Sequence, residues 1–214
     1  MSDLIIKAYP VGEMETNCYI LYRRGQKKMV MVDPGDNGMF LLNKCWETDM
    51  EPEAILLTHG HFDHILGVED IENAFPNVKV IAGTEEAELL ENPSLNLSAG
   101  YGRSCSVAVD EYVRDREIFS FAGISFETIF TPGHTSGSVC FYIRDEETLL
   151  SGDTLFLESL GRTDLPTGNS DMIVKSITER LFSLPEETSV YPGHGEMTSI
   201  GHEKEKNPVA FYGR

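Results

Sequence analysis

A chain of 214 residues, 41% hydrophobic and 24% charged, is long enough to bury a full core, and its composition sets aside disordered, collagen-like and coiled-coil classes. Its 35 acidic residues against 17 basic ones leave a formal net charge of −18, which repels phosphodiester backbones and anionic lipid surfaces, so neither nucleic acid nor a membrane is an expected partner. Cys18, Cys45, Cys105 and Cys140 are scattered without a C-x-x-C pair, and the amino terminus shows no basic start followed by a long apolar run; a cytoplasmic protein with reduced, inert thiols is expected.

No linker, low-complexity tract or repeat interrupts the sequence, which predicts one domain over residues 1–214. Residues 4–9, 18–22 and 28–32 are β-branched or aromatic runs separated by turns at Gly12 and Gly25, the pattern of an antiparallel meander. A breaker cluster at 33–38 follows, then a helical pattern through Phe40, Leu41, Lys44, Cys45 and Met50, with Phe40 and Trp46 expected to pack against a sheet. Residues 54–58 are apolar throughout and too short for a helix, as in a strand buried on both faces. Ile65, Val68, Ile71 and Phe75 recur at helical spacing until Pro76, and a strand is predicted at 78–82. A short helix at 85–90 and a surface excursion over 92–115 come next. Strands at 124–130, 138–143 and 148–151, a helix through Ile173, Val174, Ile177 and Leu181, and a strand at 189–191 complete an α+β pattern of mixed sheets covered by helices.

The chemistry concentrates at strand ends. Directly after the 54–58 strand stand His59, His61, Asp63 and His64, with Gly60 removing bulk between the first two. This spacing lets the backbone present His59 and His61 to one metal while Asp63 and His64 face another. Three further glycine-containing loops at predicted strand ends offer His134, Asp153 and His194. Five histidines and two aspartates divide naturally into two metals bridged by a carboxylate, an arrangement of hydrolytic sites whose metals lie about 3.5–4 Å apart. Imidazole and carboxylate suit zinc, and also iron or manganese, and the lack of cysteine ligands points to an open catalytic site rather than a closed structural one.

This His-x-His-x-Asp-His run, with His134, Asp153 and His194 downstream, resembles the metallo-β-lactamase-fold hydrolases over nearly the whole chain. The resemblance implies a four-layer αββα sandwich, two mixed β-sheets flanked by helices, with the site at one edge between the sheets. It assigns His59, His61 and His134 to the first metal and Asp63, His64 and His194 to the second, with Asp153 bridging. Two divalent ions are implied, zinc first, with iron or manganese as alternatives. Asp33 matches an early strand-end aspartate that supports the ligands; capping the following turn is its other reading. Gly161-Arg162-Thr163-Asp164 and the segment from Gly193 to Gly201, with Glu203, Lys204, Asn207 and Pro208, resemble the short bacterial glyoxalase-II-like (hydroxyacylglutathione hydrolase-like) proteins. Persulfide dioxygenases, which bind a single iron, carry a similar Gly-Arg-Thr-Asp segment. Longer glyoxalase II enzymes draw glutathione contacts from a C-terminal helical domain, whereas 20 residues follow His194 here.

Arg162 and Asp164 carry two readings, a structural ion pair holding their loop and a substrate contact. His202, among Glu203, Lys204, Glu205 and Lys206, reads as solvated. The expected activity is metal-dependent hydrolysis of a small anionic thioester, S-D-lactoylglutathione or a related acyl thioester, by a hydroxide bridging the metals, with Asp63 as ligand and catalytic residue. The alternatives are a mononuclear iron persulfide dioxygenase using His59, His134 and Asp153, and a non-catalytic metal-binding scaffold.

Overall fold

In the computed structural model, which describes residues 3–211, the predicted meander opens the chain. Strands β1 (Leu4–Val11), β2 (Thr16–Arg23) and β3 (Lys28–Val32) pair antiparallel in that order. Helix α1 (Gly38–Thr48) returns the chain to β4 (Glu51–Leu57), which lies parallel to β3. After α2 (Phe62–Ile65) and α3 (Val68–Ala74), β5 (Lys79–Gly83) joins β4 in parallel. Helices α4 (Ala87–Glu91) and α5 (Ser98–Tyr101) precede β6 (Glu111–Val113), the parallel edge strand of a six-stranded sheet.

The second sheet begins with β7 (Ile118–Phe121), β8 (Ile124–Phe130), β9 (Val139–Ile143) and β10 (Thr148–Gly152), all antiparallel neighbours. A small hairpin of β11 (Leu155–Phe156) and β12 (Ser159–Leu160) stands beside it. Helix α6 (Ser170–Lys175) runs on through a π turn at Ser176–Arg180 and a 3-10 turn at Leu181–Ser183. Strand β13 (Ser189–Pro192) then pairs parallel with β10, and β14 (Thr198–Ser199) leads into α7 (Ile200–Lys206).

Alternation along the strands builds the layers. On β2, β3 and β4, Cys18, Ile20, Met29, Met31, Ile55 and Leu57 face one way and pack with Leu41, Cys45, Val68 and Ile71 of α1 and α3. Their neighbours Tyr19, Leu21, Val30, Val32, Ala54 and Leu56 face the other way and meet Phe126, Val139, Phe141, Ile143 and Leu150 of the second sheet. On that sheet's far side Cys140, Tyr142, Leu149 and Val190 pack with Ile173, Ile177 and Ile200. The result is the expected αββα sandwich of two mixed sheets with helices outside.

Three local readings change. The single helix expected from Ile65 to Phe75 is two, because the chain folds back between them: the Leu66 amide donates to Gly35 O at 3.1 Å and the Gly67 amide to Pro34 O at 2.8 Å. The 92–115 excursion is pinned rather than loose, since buried Asn96 takes the Ser98 amide, gives its side-chain N–H to Cys105 O, and accepts the Phe62 amide on its own carbonyl. Phe40 and Trp46 are exposed, leaving Leu41, Leu42 and Cys45 to bury the inner face of α1. The charged tail around His202 forms α7, and His202 lies at the surface as its charged surroundings suggest, within 3.0 Å of Glu158. Among the described residues all four cysteines are free, with Cys105 partly exposed and the others buried, and no helix is long and apolar enough to cross a membrane.

Candidate metal centre

Strands β3 and β4 are parallel, as are β10 and β13, and β8 runs in the same sense as β10 two strands away. Their carboxyl ends therefore share an edge, and the loops leaving them carry Asp33, His59 to His64, His134, Asp153 and His194. All seven sequence-predicted ligand candidates converge there, as three overlapping sets: His59, His61 and His134; His59, His64 and Asp153; Asp63, His64 and His194. His134 Nε2 lies 2.9 Å from His61 Nδ1 and 3.2 Å from His59 Nε2. Asp63 Oδ2 lies 3.3 Å from His194 Nε2 and 3.6 Å from His64 Nε2. Asp153 stands between the two sides, with Oδ1 at 3.4 Å from His64 Nε2 and Oδ2 at 3.5 and 3.6 Å from the Nε2 atoms of His134 and His194.

Outward-facing ring nitrogens fix how these rings are presented. The Nδ1 atoms of His134, His194 and His64 meet Arg162 O at 2.8 Å, Met14 O at 3.0 Å and Asp33 Oδ2 at 3.0 Å. His59 Nδ1 lies 3.2 Å from Thr58 Oγ1, whose hydroxyl donates to Asp33 Oδ2 at 2.6 Å. With their Nδ1 protons so committed, neutral His59 and His134 aim bare Nε2 lone pairs at each other. Buried His64 Nε2 and Asp153 Oδ1 face each other at 3.4 Å without a well-formed hydrogen bond. Lone pairs converging on the His59 and His134 side, and carboxylates facing His64 and His194 on the other, are what a divalent cation satisfies once it displaces the protons those two rings hold, so the donor set fits the implied metals. Asp33 thus takes the supporting reading: it is buried, receives the Thr58 amide at 2.8 Å, and orients His64.

The two sides differ in proton content. Burial, reinforced by neighbouring imidazoles, holds His59 far below the ordinary histidine value and His61 down to about 3; His134 is also lowered by burial, against the pull of Asp153. Burial pulls His64 and His194 down as well, but for His64 the carboxylates of Asp153, Asp63 and Asp33 outweigh it, and for His194 those of Asp63 and Asp153 do, so both end raised. A cation entering the Asp63, His64 and His194 set must displace protons, and its affinity there falls as pH drops through those raised values. Zinc titrations of apo-protein between roughly pH 6 and 8 are expected to show one strongly pH-dependent step that releases protons and one weakly dependent step. Calorimetry in buffers of different ionisation enthalpy measures the released protons.

The family profile described as the metallo-beta-lactamase superfamily matches residues 11–194. The chain belongs to that superfamily. A protein of Streptococcus pyogenes serotype M6 named a probable metallo-hydrolase is 37% identical over 87% of this chain and 83% of its own. The hydroxyacylglutathione hydrolase GloC of Haemophilus influenzae is 30% identical over 95% of this chain and 96% of its own. Among solved structures, BLEG-1, a B3 metallo-beta-lactamase, superposes with a TM-score of 0.90 at 39% identity, covering 95% of this chain and 98% of its own. TTHA1623 in a di-iron-bound form gives 0.83 at 33%, covering 94% and 98%, and ETHE1 from Myxococcus xanthus 0.80 at 27%, covering 95% and 83%.

In this superfamily member His61, Asp63, His134, Asp153 and His194 floor a cavity of about 420 Å³ whose walls include Met14, Phe62, Leu97, Phe156, Leu160 and Leu165. A neighbouring cavity of about 440 Å³ shares Leu160 with it and holds none of the ligand candidates. Arg162 reaches the ligand-floored cavity, but its guanidinium is already bidentate on Asp164, at 2.8 Å to each oxygen, and both side chains are exposed. The structural reading of that pair is the one its geometry favours, and the Arg162 backbone carbonyl does further work on His134.

Several supporting groups carried no motif. Thr16 donates to Asp63 Oδ2 at 3.0 Å. Buried Glu86 receives the Gly60 amide and the Thr135 hydroxyl, with burial pushing its carboxyl up to about 7 against those donors. Buried Glu203 and Asn207, met in the sequence only through resemblance, hold the β11–β12 hairpin that forms a cavity wall. Glu203 accepts the Glu158 amide at 2.9 Å, the Thr198 hydroxyl at 2.5 Å and the Asn207 side chain at 2.7 Å, while Asn207 also donates to Ser159 O. Glu203→Ala is expected to orphan these donors, cost about 3 kcal/mol and lower Tm by roughly 6–12 °C in a thermal melt.

Proposed function

We propose that this protein is a metal-dependent hydrolase of small acyl thioesters, S-D-lactoylglutathione or a chemical relative among them. The observation that carries the reading is the meeting of two complete donor sets at Asp153 on the floor of an open, apolar-walled cavity. The hydrolase names of the Streptococcus and Haemophilus relatives support it. His59, His61 and His134 would hold one divalent ion, Asp63, His64 and His194 the other, and Asp153 both; zinc is the first expectation, iron the second given the di-iron form of TTHA1623. Bound there, the ions would supply Lewis acidity, lowering the pKa of water from about 15.7 to about 7 and polarising the substrate carbonyl.

The chain's own residues do the rest. Asp63, steadied by Thr16 Oγ1, presents a carboxylate oxygen at the junction of the two sides and orients the attacking water. The apolar walls exclude bulk water and seat the acyl group, and Leu160 and Phe156 are kept in place by the hairpin that α7 anchors. A thiolate leaves without a strong general acid. An anionic substrate is compatible with the acidic surface because divalent ions held by these residues would reverse the charge locally. The partly exposed free Cys105 fits a reducing, cytoplasmic setting.

Metal-replete protein offered S-D-lactoylglutathione, a panel of acyl thioesters and a chromogenic β-lactam tests the reading. Hydrolysis of a thioester with about two metals per chain is expected; no thioester turnover overturns it. The second reading is a mononuclear iron persulfide dioxygenase holding its iron with His59, His134 and Asp153, favoured by the likeness to ETHE1 and the Gly-Arg-Thr-Asp segment. One iron per chain with oxygen uptake on glutathione persulfide would establish it instead. The scaffold reading survives only if Asp63→Ala leaves every activity unchanged.

A further inference from the structure

Glu86 ends the turn that follows β5 and is 1% exposed. Its partners are donors from two separate loops. Oε1 accepts the Gly60 amide at 2.8 Å, inside the His59 to His61 segment that leaves the first sheet. Oε2 accepts the Thr135 hydroxyl at 2.9 Å, next to His134 on the second sheet, and the Gly137 amide bonds the same carboxylate. Thr135 and Ser138 hydroxyls, 2.7 Å apart, close the second loop on itself. The second loop is shaped around this group, since a Cβ at Gly137 would stand 2.4 Å from Glu86 Oε2; one at Gly60 would strike Leu89 and Leu90 instead.

A buried carboxylate answered by two amides and a hydroxyl, with no cation, is an expensive way to fill space. It gains a use from what it joins. His59 and His61 lie on one of its loops and His134 on the other, so the rigid link sets the 2.9 and 3.2 Å approaches among their three inward nitrogens. The other set has supports that Glu86 does not touch: Asp33 on His64, a carboxylate that also reaches His59 through Thr58, Thr16 on Asp63 and the Met14 carbonyl on His194.

We infer that Glu86 is a positioning residue for one metal only, fixing the His59, His61 and His134 trio by clamping its two loops while leaving the Asp63, His64 and His194 set untouched. The inference rests on the two-metal reading proposed above. Its test is a competition titration of apo-protein with zinc against a chromophoric chelator, alongside cobalt(II) substitution read by visible absorption and a thermal melt of the apo form. Glu86→Gln keeps the volume but can answer only part of the donor set. It is expected to weaken one zinc-binding step by about 10–100-fold, leave the other unchanged, and alter the cobalt spectrum of one site. Thr135→Val, which removes a single donor and leaves Glu86 in place, is expected to weaken the same step by less.

Equal weakening of both steps, or a lower apo Tm with both steps unchanged, would reduce Glu86 to a general structural role and overturn the inference. Wild-type protein binding fewer than two metals overturns the two-metal reading and this inference with it. Two metals bound with no selective loss in either variant overturns the inference alone. Should Glu86→Gln fail to fold, Thr135→Val carries the same decision.

Discussion

Asp63→Asn is expected to lower kcat/KM for thioester hydrolysis by about 10³-fold while the protein keeps its fold. Asparagine preserves the volume and still offers Thr16 a carbonyl acceptor for its 3.0 Å hydrogen bond, so the loss falls on charge alone. That charge lies 3.3 Å from His194 Nε2 and 3.6 Å from His64 Nε2. Burial would raise the Asp63 carboxyl, but the imidazoles of His64 and His194 outweigh it and hold it below the usual carboxylate range. Steady-state kinetics with metal analysis on the same sample reads the result. Activity within tenfold of wild type at full metal occupancy would remove Asp63 from the machinery.

The site was legible because its ligand types are crowded where a strand ends. His59, His61, Asp63 and His64 occupy six consecutive positions directly after an apolar strand, and a surface loop has no reason to gather them. The layers were legible for a related reason: β4 from Ala54 onward and β9 throughout are apolar on both faces, which only strands covered on both sides can be. What escaped reading has physical causes. Strands β6 and β14 have three and two residues, too few to show a period, and exist through pairing with β5 and β13. Glu86 and Glu203 are two acids among 35, and nothing local distinguishes a buried carboxylate from a solvated one when its donors lie 26 to 51 positions away in one case and 4 to 45 in the other. The left-handed backbone at Asp33, φ 49°, which turns its carboxylate toward Thr58 and His64, is likewise a tertiary outcome.

Gly193→Ala is expected to have the second large effect, because the methyl group has nowhere to go except into the site. A Cβ there would stand 2.2 Å from Asp153 Oδ1 and 2.8 Å from His64 Cε1. The backbone cannot retreat: the Gly193 amide donates to Gly152 O at 2.8 Å, and its carbonyl accepts the Asn17 amide at 2.7 Å. The adjoining Pro192 carbonyl is held as well, by the Asn17 side chain at 3.0 Å and the Tyr19 hydroxyl at 2.7 Å. Asp153 and His64 must therefore give way, and they are the carboxylate between the two sides and the ring that faces it. Overpacking of this kind costs about 1–3 kcal/mol in stability, a loss the folded state survives, whereas displacement of a shared ligand by an ångström costs about 10²-fold or more in rate. The expected result is a folded protein with metal content reduced on both sides and thioester activity down by at least that factor. Gly100→Ala, where nothing lies within 4 Å of the added methyl, serves as the control and should behave as wild type. A Gly193→Ala protein that binds two metals with wild-type affinity would mean that Asp153 and His64 do not share the ions, and the bridged site would have to be abandoned.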